Sequence, residues 1–183
     1  MLVYVDDLIL TGNDLQQISN TKIILDNKFS IKDIGQLKYF LGMKVARTTE
    51  GISLYQRKYT LDLLQEIGLL VAKPASTPME CNAKLHSKSG TPLTNITTYR
   101  RLIGRLLYLT HTRPVISLSV EFLSQFLSNP TDLHHKAATR VLRYLKNSPG
   151  QGILFPRNNS IVLKGYSDSD WAGCLDTRKS ITG

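Results

Sequence analysis

The chain has 183 residues, 42% of them hydrophobic and 20% charged, enough to bury a core in one domain or in a domain and part of another. Its net charge is +9 and it contains no run of about 18 apolar residues, so a membrane span is excluded and an anionic partner is favoured. The surplus is uneven: through residue 66, eight basic side chains match eight acidic ones, whereas residues 97–147 hold eight basic groups against Glu121 and Asp132 alone.

Met1–Leu10 consists of two short apolar runs around Asp6-Asp7, which predicts a strand, a tight turn and a second strand. A two-residue turn ordinarily takes Asn-Gly, because both central residues need positive φ. Here the two acids stand at the tip. Each raises the other's cost of ionisation, and a hard divalent ion such as Mg²⁺ removes that cost. The flanks are too apolar to be solvated, so the acids are expected to project from a buried hairpin.

Asn13 or Asp14 then caps a helix over about residues 14–28, with Leu15, Ile18, Leu25 and Phe29 predicted to pack on one face. Asp33-Ile34-Gly35 turns the chain. Leu37 to Arg47 reads as a strand, Thr48 to Gly51 as a turn, and Ile52 with Leu54 as the return strand. A short helix starts near Lys58, with Tyr59, Leu63, Leu64 and Ile67 inward and Gly68 as its stop. Strands before and after helices predict an α+β fold.

Residues 71–96 change character. Lys73 to Glu80 is extended, since each proline disfavours helix before it, and Cys81 to Ile96 reads as a long exposed loop. Three helices follow over residues 97–150. Thr97 or Thr98 caps the first, whose stripe is Leu102, Ile103, Leu106 and Leu107, with Arg101 and Arg105 one turn apart. Arg113-Pro114 starts the second, lined by Ile116, Val120, Leu123 and Leu127 and ended by Pro130. Thr131 or Asp132 caps the third, with Ala138, Val141, Leu142 and Leu145 inward. Lys136, Arg140, Arg143 and Lys146 form one cationic ridge along it, with almost no acid on the same helix to pair with. Such a row suits the phosphates of a duplex backbone and carries little sequence information. Ile153 to Phe155 and Ile161 to Gly165 are expected to form a hairpin across Arg157-Asn158-Asn159. Cys81 and Cys174 lack metal-ligand spacing, which predicts free thiols in a reducing compartment. His134-His135 is read as a surface pair rather than a zinc site. Met1 leads into a strand with no charged leader, so an intracellular site, cytoplasmic or nuclear, is expected rather than secretion.

Tyr4-Val5-Asp6-Asp7, and the longer run to Gly12-Asn13-Asp14, resembles the metal-binding motif of reverse transcriptases of copia-type retrotransposon polyproteins. Lys38-Tyr39-Phe40-Leu41-Gly42 resembles the primer grip of that family. Lys73-Pro74, Thr77-Pro78-Met79-Glu80, Tyr99 to Gly104, Leu107 to Thr110 and Arg140 to Lys146 resemble its linker, thumb and connection. Gly165 to Cys174 resembles the opening of its RNase H domain, with Asp168 at the first metal-binding carboxylate and Asp170 on the same strand face. One departure stands out: Val115 follows Arg113-Pro114 where the family commonly has Asp, so a weaker helix start is expected there.

The resemblance implies four parts: a palm segment over 1–70, an extended linker over 71–96, a basic helical thumb or connection over 97–150, and the start of an RNase H-like domain over 151–183. It implies Mg²⁺ (or Mn²⁺) on Asp6 and Asp7, and on Asp168 in the second site. Phe40, Leu41 and Gly42 would position the primer. Arg101, Arg105, Lys136, Arg140, Arg143 and Lys146 would hold the template–primer duplex, with deoxynucleoside triphosphates as substrates. A third catalytic Asp would lie before Met1 and further RNase H acids after Gly183, in the rest of a polyprotein. The chain alone is therefore expected to be inactive. A non-catalytic nucleic-acid-binding module and an inert retroelement relic are the alternatives.

Overall fold

The structure is a computed structural model that describes residues 1–80, 85–160 and 162–167. It divides into two compact units, Met1–Phe40 and Leu41 onward. The first unit holds the antiparallel pair β1 (Leu2–Tyr4) and β2 (Asp7–Ile9), the helix α1 (Leu15–Phe29) and the two-residue strand β3 (Tyr39–Phe40). Asp14 caps α1, its carboxylate accepting from the Gln17 amide at 3.0 Å, which satisfies one of the first-turn amides. Ser30 closes the helix in the left-handed region with φ 50°. Lys22 donates to Asp33 at 2.7 Å, and the Gly35 amide donates to the other carboxylate oxygen at 2.9 Å. The Lys22 hydrogen bond is the main reason why Asp33 sits below its usual pKa.

Two expectations fail in this unit. The predicted packed face of α1 is only partly covered, at Ile18, Thr21, Lys22 and Leu25, and the helix has no buried residue. Leu15 is 80% exposed and Phe29 70%. The hairpin is not buried either, since every residue from Met1 to Leu8 is exposed. Amphipathic spacing states which face can be buried, not that an element is present to bury it.

The second unit opens with β4 (Met43–Arg47) and β5 (Gly51–Tyr55), antiparallel with Lys44 opposite Tyr55 and Arg47 opposite Ile52. The predicted strand 37–47 is thus broken at Leu41-Gly42, where both φ are positive, 48° and 73°. β6 (Gly152–Pro156) adds to β5, with Gly152 opposite Tyr55 and Pro156 opposite Gly51. The expected hairpin after residue 153 does not form, because β6 takes β5 as its partner and residues 162–167 have no regular structure. A Cβ on Gly152 would lie 2.0 Å from the Leu54 carbonyl oxygen, so the close approach of β6 requires glycine.

The core is helical. α2 (Arg57–Glu66), α3 (Ile96–Thr110), α4 (Ser117–Ser124) and α5 (Asp132–Asn147) bury Leu64, Ile103, Leu106, Val120, Leu123, Val141, Leu142 and Leu145 together. All four apolar positions predicted for α5 are buried. In α3, Leu102, Ile103 and Leu106 are buried as predicted, Leu107 is 42% exposed, and Tyr99 and Leu109 complete the stripe. Burial pushes the Tyr99 phenol far above its usual pKa, so it stays a neutral donor to the Leu123 carbonyl at 2.8 Å.

Several boundaries move for local reasons. Asn95, not Thr97 or Thr98, caps α3, accepting from the Thr98 amide at 3.2 Å. Pro114–Ile116 forms a 3-10 turn and α4 starts only at Ser117, with no side-chain cap at either start, where Arg113 and Ile116 hold the cap positions. α4 ends at Ser124, well before Pro130. Thr131 caps α5 in a capping box with His134. His134 is therefore not a surface residue: it is fully buried and stacked on Phe126 at 3.9 Å. The 85–94 stretch is not simply exposed, since Leu85 and Leu93 pack on the core and Thr91 exchanges hydrogen bonds with Asp132 at 2.6 and 2.9 Å. Among the described residues no helix is long and apolar enough to cross a membrane.

Candidate active site and nucleic-acid interface

The β1–β2 register pairs Leu2 with Ile9, Val3 with Leu8 and Tyr4 with Asp7. The two-residue turn is therefore Val5-Asp6, one position earlier than Asp6-Asp7. Asp6 occupies the second turn position and Asp7 begins β2. Val5 has φ 48°, a left-handed conformation that a β-branched residue adopts only at a cost of roughly 1–3 kcal/mol. Positive φ at the first turn residue only is the II′ pattern, which ordinarily takes glycine there. Alternation along the strands puts Leu2, Tyr4, Asp7 and Ile9 on one face of the hairpin. On that face Tyr4 meets Phe40 edge-on, with ring centroids 6.3 Å apart and planes at 80°. Phe40 thus packs against Tyr4, the residue directly opposite Asp7.

Asp6 and Asp7 are both exposed. They offer hard oxygen donors of the kind Mg²⁺ takes. No group of three or more His, Cys, Asp or Glu side chains able to hold a metal ion occurs among the described residues. The pair fits the ion in donor chemistry and falls short of a closed two-metal site in number. Asp168 and Asp170 lie outside the described residues, as do Cys81 and Cys174.

Leu41 and Gly42 belong to the second unit and are held by α3. The Tyr108 hydroxyl donates to the Leu41 carbonyl, and the Tyr108 ring would be in ordinary contact, at 3.7 Å, with a Cβ built on Gly42. Tyr108 is itself set edge-on to Tyr59 at 5.3 Å and to His111 at 5.9 Å. The left-handed turn, with φ 73°, calls for glycine at position 42.

Of the predicted basic residues on α3 and α5, all but Lys136 have partners among the described residues, and the partners come from other elements. Arg101 and Arg105 each donate to one oxygen of the Glu66 carboxylate, at the end of α2. The Arg105 hydrogen bond is the leading cause of a lowered Glu66 pKa. On α5, Arg140 donates to Glu80 at 3.1 Å and to the Thr77 hydroxyl at 3.0 Å. Arg143 donates to the Lys73 carbonyl at 2.7 Å, Lys146 to the Ala72 carbonyl, and the Ala75 amide returns a bond to the Arg143 carbonyl at 3.1 Å. The extended segment 72–80 therefore lies strapped along α5, with Ala75 buried. Lys136 is exposed and makes no ion pair among the described residues. The reasoning from a helix without acids missed Glu66 and the strap, because both are remote in sequence. One local signal existed: Glu66 closes a helix at the end where the dipole favours a cation.

A family model described as reverse transcriptase (RNA-dependent DNA polymerase) matches residues 1–81. Across all 183 residues the chain is 48% identical to a retrovirus-related Pol polyprotein from transposon RE1 of Arabidopsis thaliana, covering 12% of that protein. It belongs to the reverse transcriptase region of copia-type retrotransposon polyproteins. A retrovirus-related Pol polyprotein from transposon TNT 1-94 of Nicotiana tabacum is 39% identical, with 14% of its length covered. An uncharacterised mitochondrial protein of Arabidopsis thaliana is 38% identical over all of this chain and 76% of its own length. Of the first two relatives the chain thus spans only a small fraction. No solved structure matches it. The family match covers the carboxylate hairpin, the grip segment and α2 (Arg57–Glu66), while the polyprotein matches extend through the basic helices.

Proposed function

We propose that the chain is a working segment of an RNA-directed DNA polymerase, active as part of a longer polypeptide and inactive alone. The observation that carries this is the hairpin: two exposed carboxylates at a strained turn, with Phe40 of the grip segment packed on the residue opposite Asp7, inside the stretch that matches the polymerase family. Asp6 and Asp7 would hold Mg²⁺ (or Mn²⁺), which when bound lowers the cost of the negative charge that builds during nucleotidyl transfer. The chain's own residues position. Val5 in its left-handed turn carries the carboxylates outward, and Tyr4 ties that turn to Phe40. Leu41 and Gly42, held by Tyr108, would set the primer end. Arg101, Arg105, Lys136, Arg140, Arg143 and Lys146 form the basic surface proposed to meet the template–primer backbone, with deoxynucleoside triphosphates as the second substrate. That the chain covers only 12% of a full polyprotein supports activity only as part of a longer polypeptide. A cytoplasmic or nuclear setting and an RNase H role for Asp168 belong to the same proposal.

The test joins this chain to the preceding polymerase segment of the 48% identical relative and measures primer extension with Mg²⁺. Incorporation is expected in the fusion, lost on Asp6→Asn or Asp7→Asn, and absent from the chain alone. Incorporation by the fusion that survives both substitutions overturns the assignment of the carboxylates.

A further inference from the structure

The groove between α2, α3 and the start of α5 has a volume of about 320 Å³ and is lined by Leu63, Glu66, Ile67, Arg101, Arg105 and His135. Its charged floor is unusual in three respects. Each guanidinium takes a different oxygen of the one carboxylate, so the two cations are spaced to receive an anion that presents two oxygens. The ion pairs are partly exposed, with the side chains of Arg101, Arg105 and Glu66 65%, 33% and 40% exposed, and exposed pairs contribute little to stability. Glu66 also sits at the C-terminal end of α2, where the helix dipole opposes an acid. A group placed against its own helix and held by weak surface pairs is readily displaced. A phosphodiester offers the same two-oxygen bite and brings counterion release with it.

We propose that this groove is an oxyanion site in which the Glu66 carboxylate is an internal placeholder, displaced by a backbone phosphate when a duplex binds. The inference rests on the nucleic-acid reading above and adds a named acid that opposes it. Glu66 neutralises one of the two arginines in the free chain, which lowers affinity for every duplex alike. With Glu66 displaced, both guanidiniums face the phosphate.

The experiment uses the full chain and two probes. A short DNA duplex is titrated by fluorescence anisotropy across a salt series, and inorganic phosphate is titrated by thermal unfolding. Glu66→Gln is expected to bind the duplex several-fold more tightly at low salt, with a log–log salt slope steeper by about one. It is also expected to gain more thermal stability from phosphate than the unsubstituted chain does. Adding Arg101→Gln and Arg105→Gln should abolish both gains. Either gain, abolished in that way, supports the placeholder. Equal duplex affinity and equal phosphate response in the presence and absence of the carboxylate overturn it. If phosphate stabilises Glu66→Gln but no variant binds duplex, the oxyanion site stands and the nucleic-acid reading falls. If duplex binds all variants alike and phosphate does nothing, the reverse holds. Glu66→Ala replaces Glu66→Gln should circular dichroism show a loss of helix in the latter.

Discussion

The two units of the chain are built on different physics. From Met1 to Phe40 not one residue is buried, and the ordered elements rest on short backbone pairings, a capped helix and a few side-chain contacts. A 15-residue helix with no buried face is close to the limit of stability in water. From Leu41 onward, helices α2 to α5 enclose a continuous core in which Leu64, Ile103 and Leu106 have no exposed surface. Asp6 and Asp7 thus stand on the unit with least internal support, and the basic residues of α3 and α5 on the unit with most. A two-residue turn can be held by local pairing alone, whereas side chains on different helices keep their spacing only over a packed scaffold.

The sharpest way to break this comparison is to delete equal volumes from both units. Leu106→Ala is expected to cost about 2–5 kcal/mol in urea unfolding, since the side chain is fully buried, while Ile24→Ala, 55% exposed, should stay within about 0.5 kcal/mol. Similar losses at the two sites would end the distinction. A smaller effect is expected where β6 joins the sheet. Gly152→Val drives a side chain into the Leu54 carbonyl and should cost about 1–3 kcal/mol, with faster amide exchange along β5 and β6. Unchanged exchange would show that the β5–β6 pairing tolerates a side chain.

The strap along α5 gives an effect of about 1 kcal/mol. Arg143→Ala removes the donor to the Lys73 carbonyl and should expose residues 72–80 to proteolysis, whereas Lys136→Ala should not. Equal cleavage of both variants would count against the strap. The smallest stability change is expected at Val5. Val5→Gly relieves a left-handed φ by roughly 1 kcal/mol, partly offset by the extra freedom of glycine in the unfolded chain, and should slow exchange of the hairpin amides. Faster exchange would show that Val5 is at ease in that turn.

Acid titration reads each unit through one carboxylate. Asp33 and Glu66 both lie below their ordinary values of 3.8 and 4.5, the first through its Lys22 hydrogen bond and the second chiefly through Arg105. A depressed carboxylate contributes fully above its unfolded pKa and loses that contribution as pH falls through the folded one. Both links should therefore be intact at neutral pH and lost below the ordinary carboxylate range, with NMR titration of the two side chains as the check.

Much of the second unit was legible from spacing alone. Ala138, Val141, Leu142 and Leu145 recur at helical period and all are buried, because a periodic stripe leaves one way to hide it. The α3 cap lies two residues before Thr97 and three before Thr98, at Asn95, because the hydroxyls of the two threonines are as good acceptors as Asn95 until the backbone shows which residue is extended. The turn at Val5-Asp6 was misplaced by one, since a two-residue turn can slip without changing composition.

By itself, the order of residues determined the helical periods, the adjacent carboxylates near the first turn and the uneven distribution of positive charge. These are local properties, set by neighbours within a few positions. Tertiary structure alone decided that β6 joins β5, that His134 is buried, that the α1 face stays open, and that Glu66 and the 72–80 strap hold the arginines. The β5–β6 pairing, the Glu66 contacts and the strap join groups tens of residues apart, and no window of sequence records which distant partner wins.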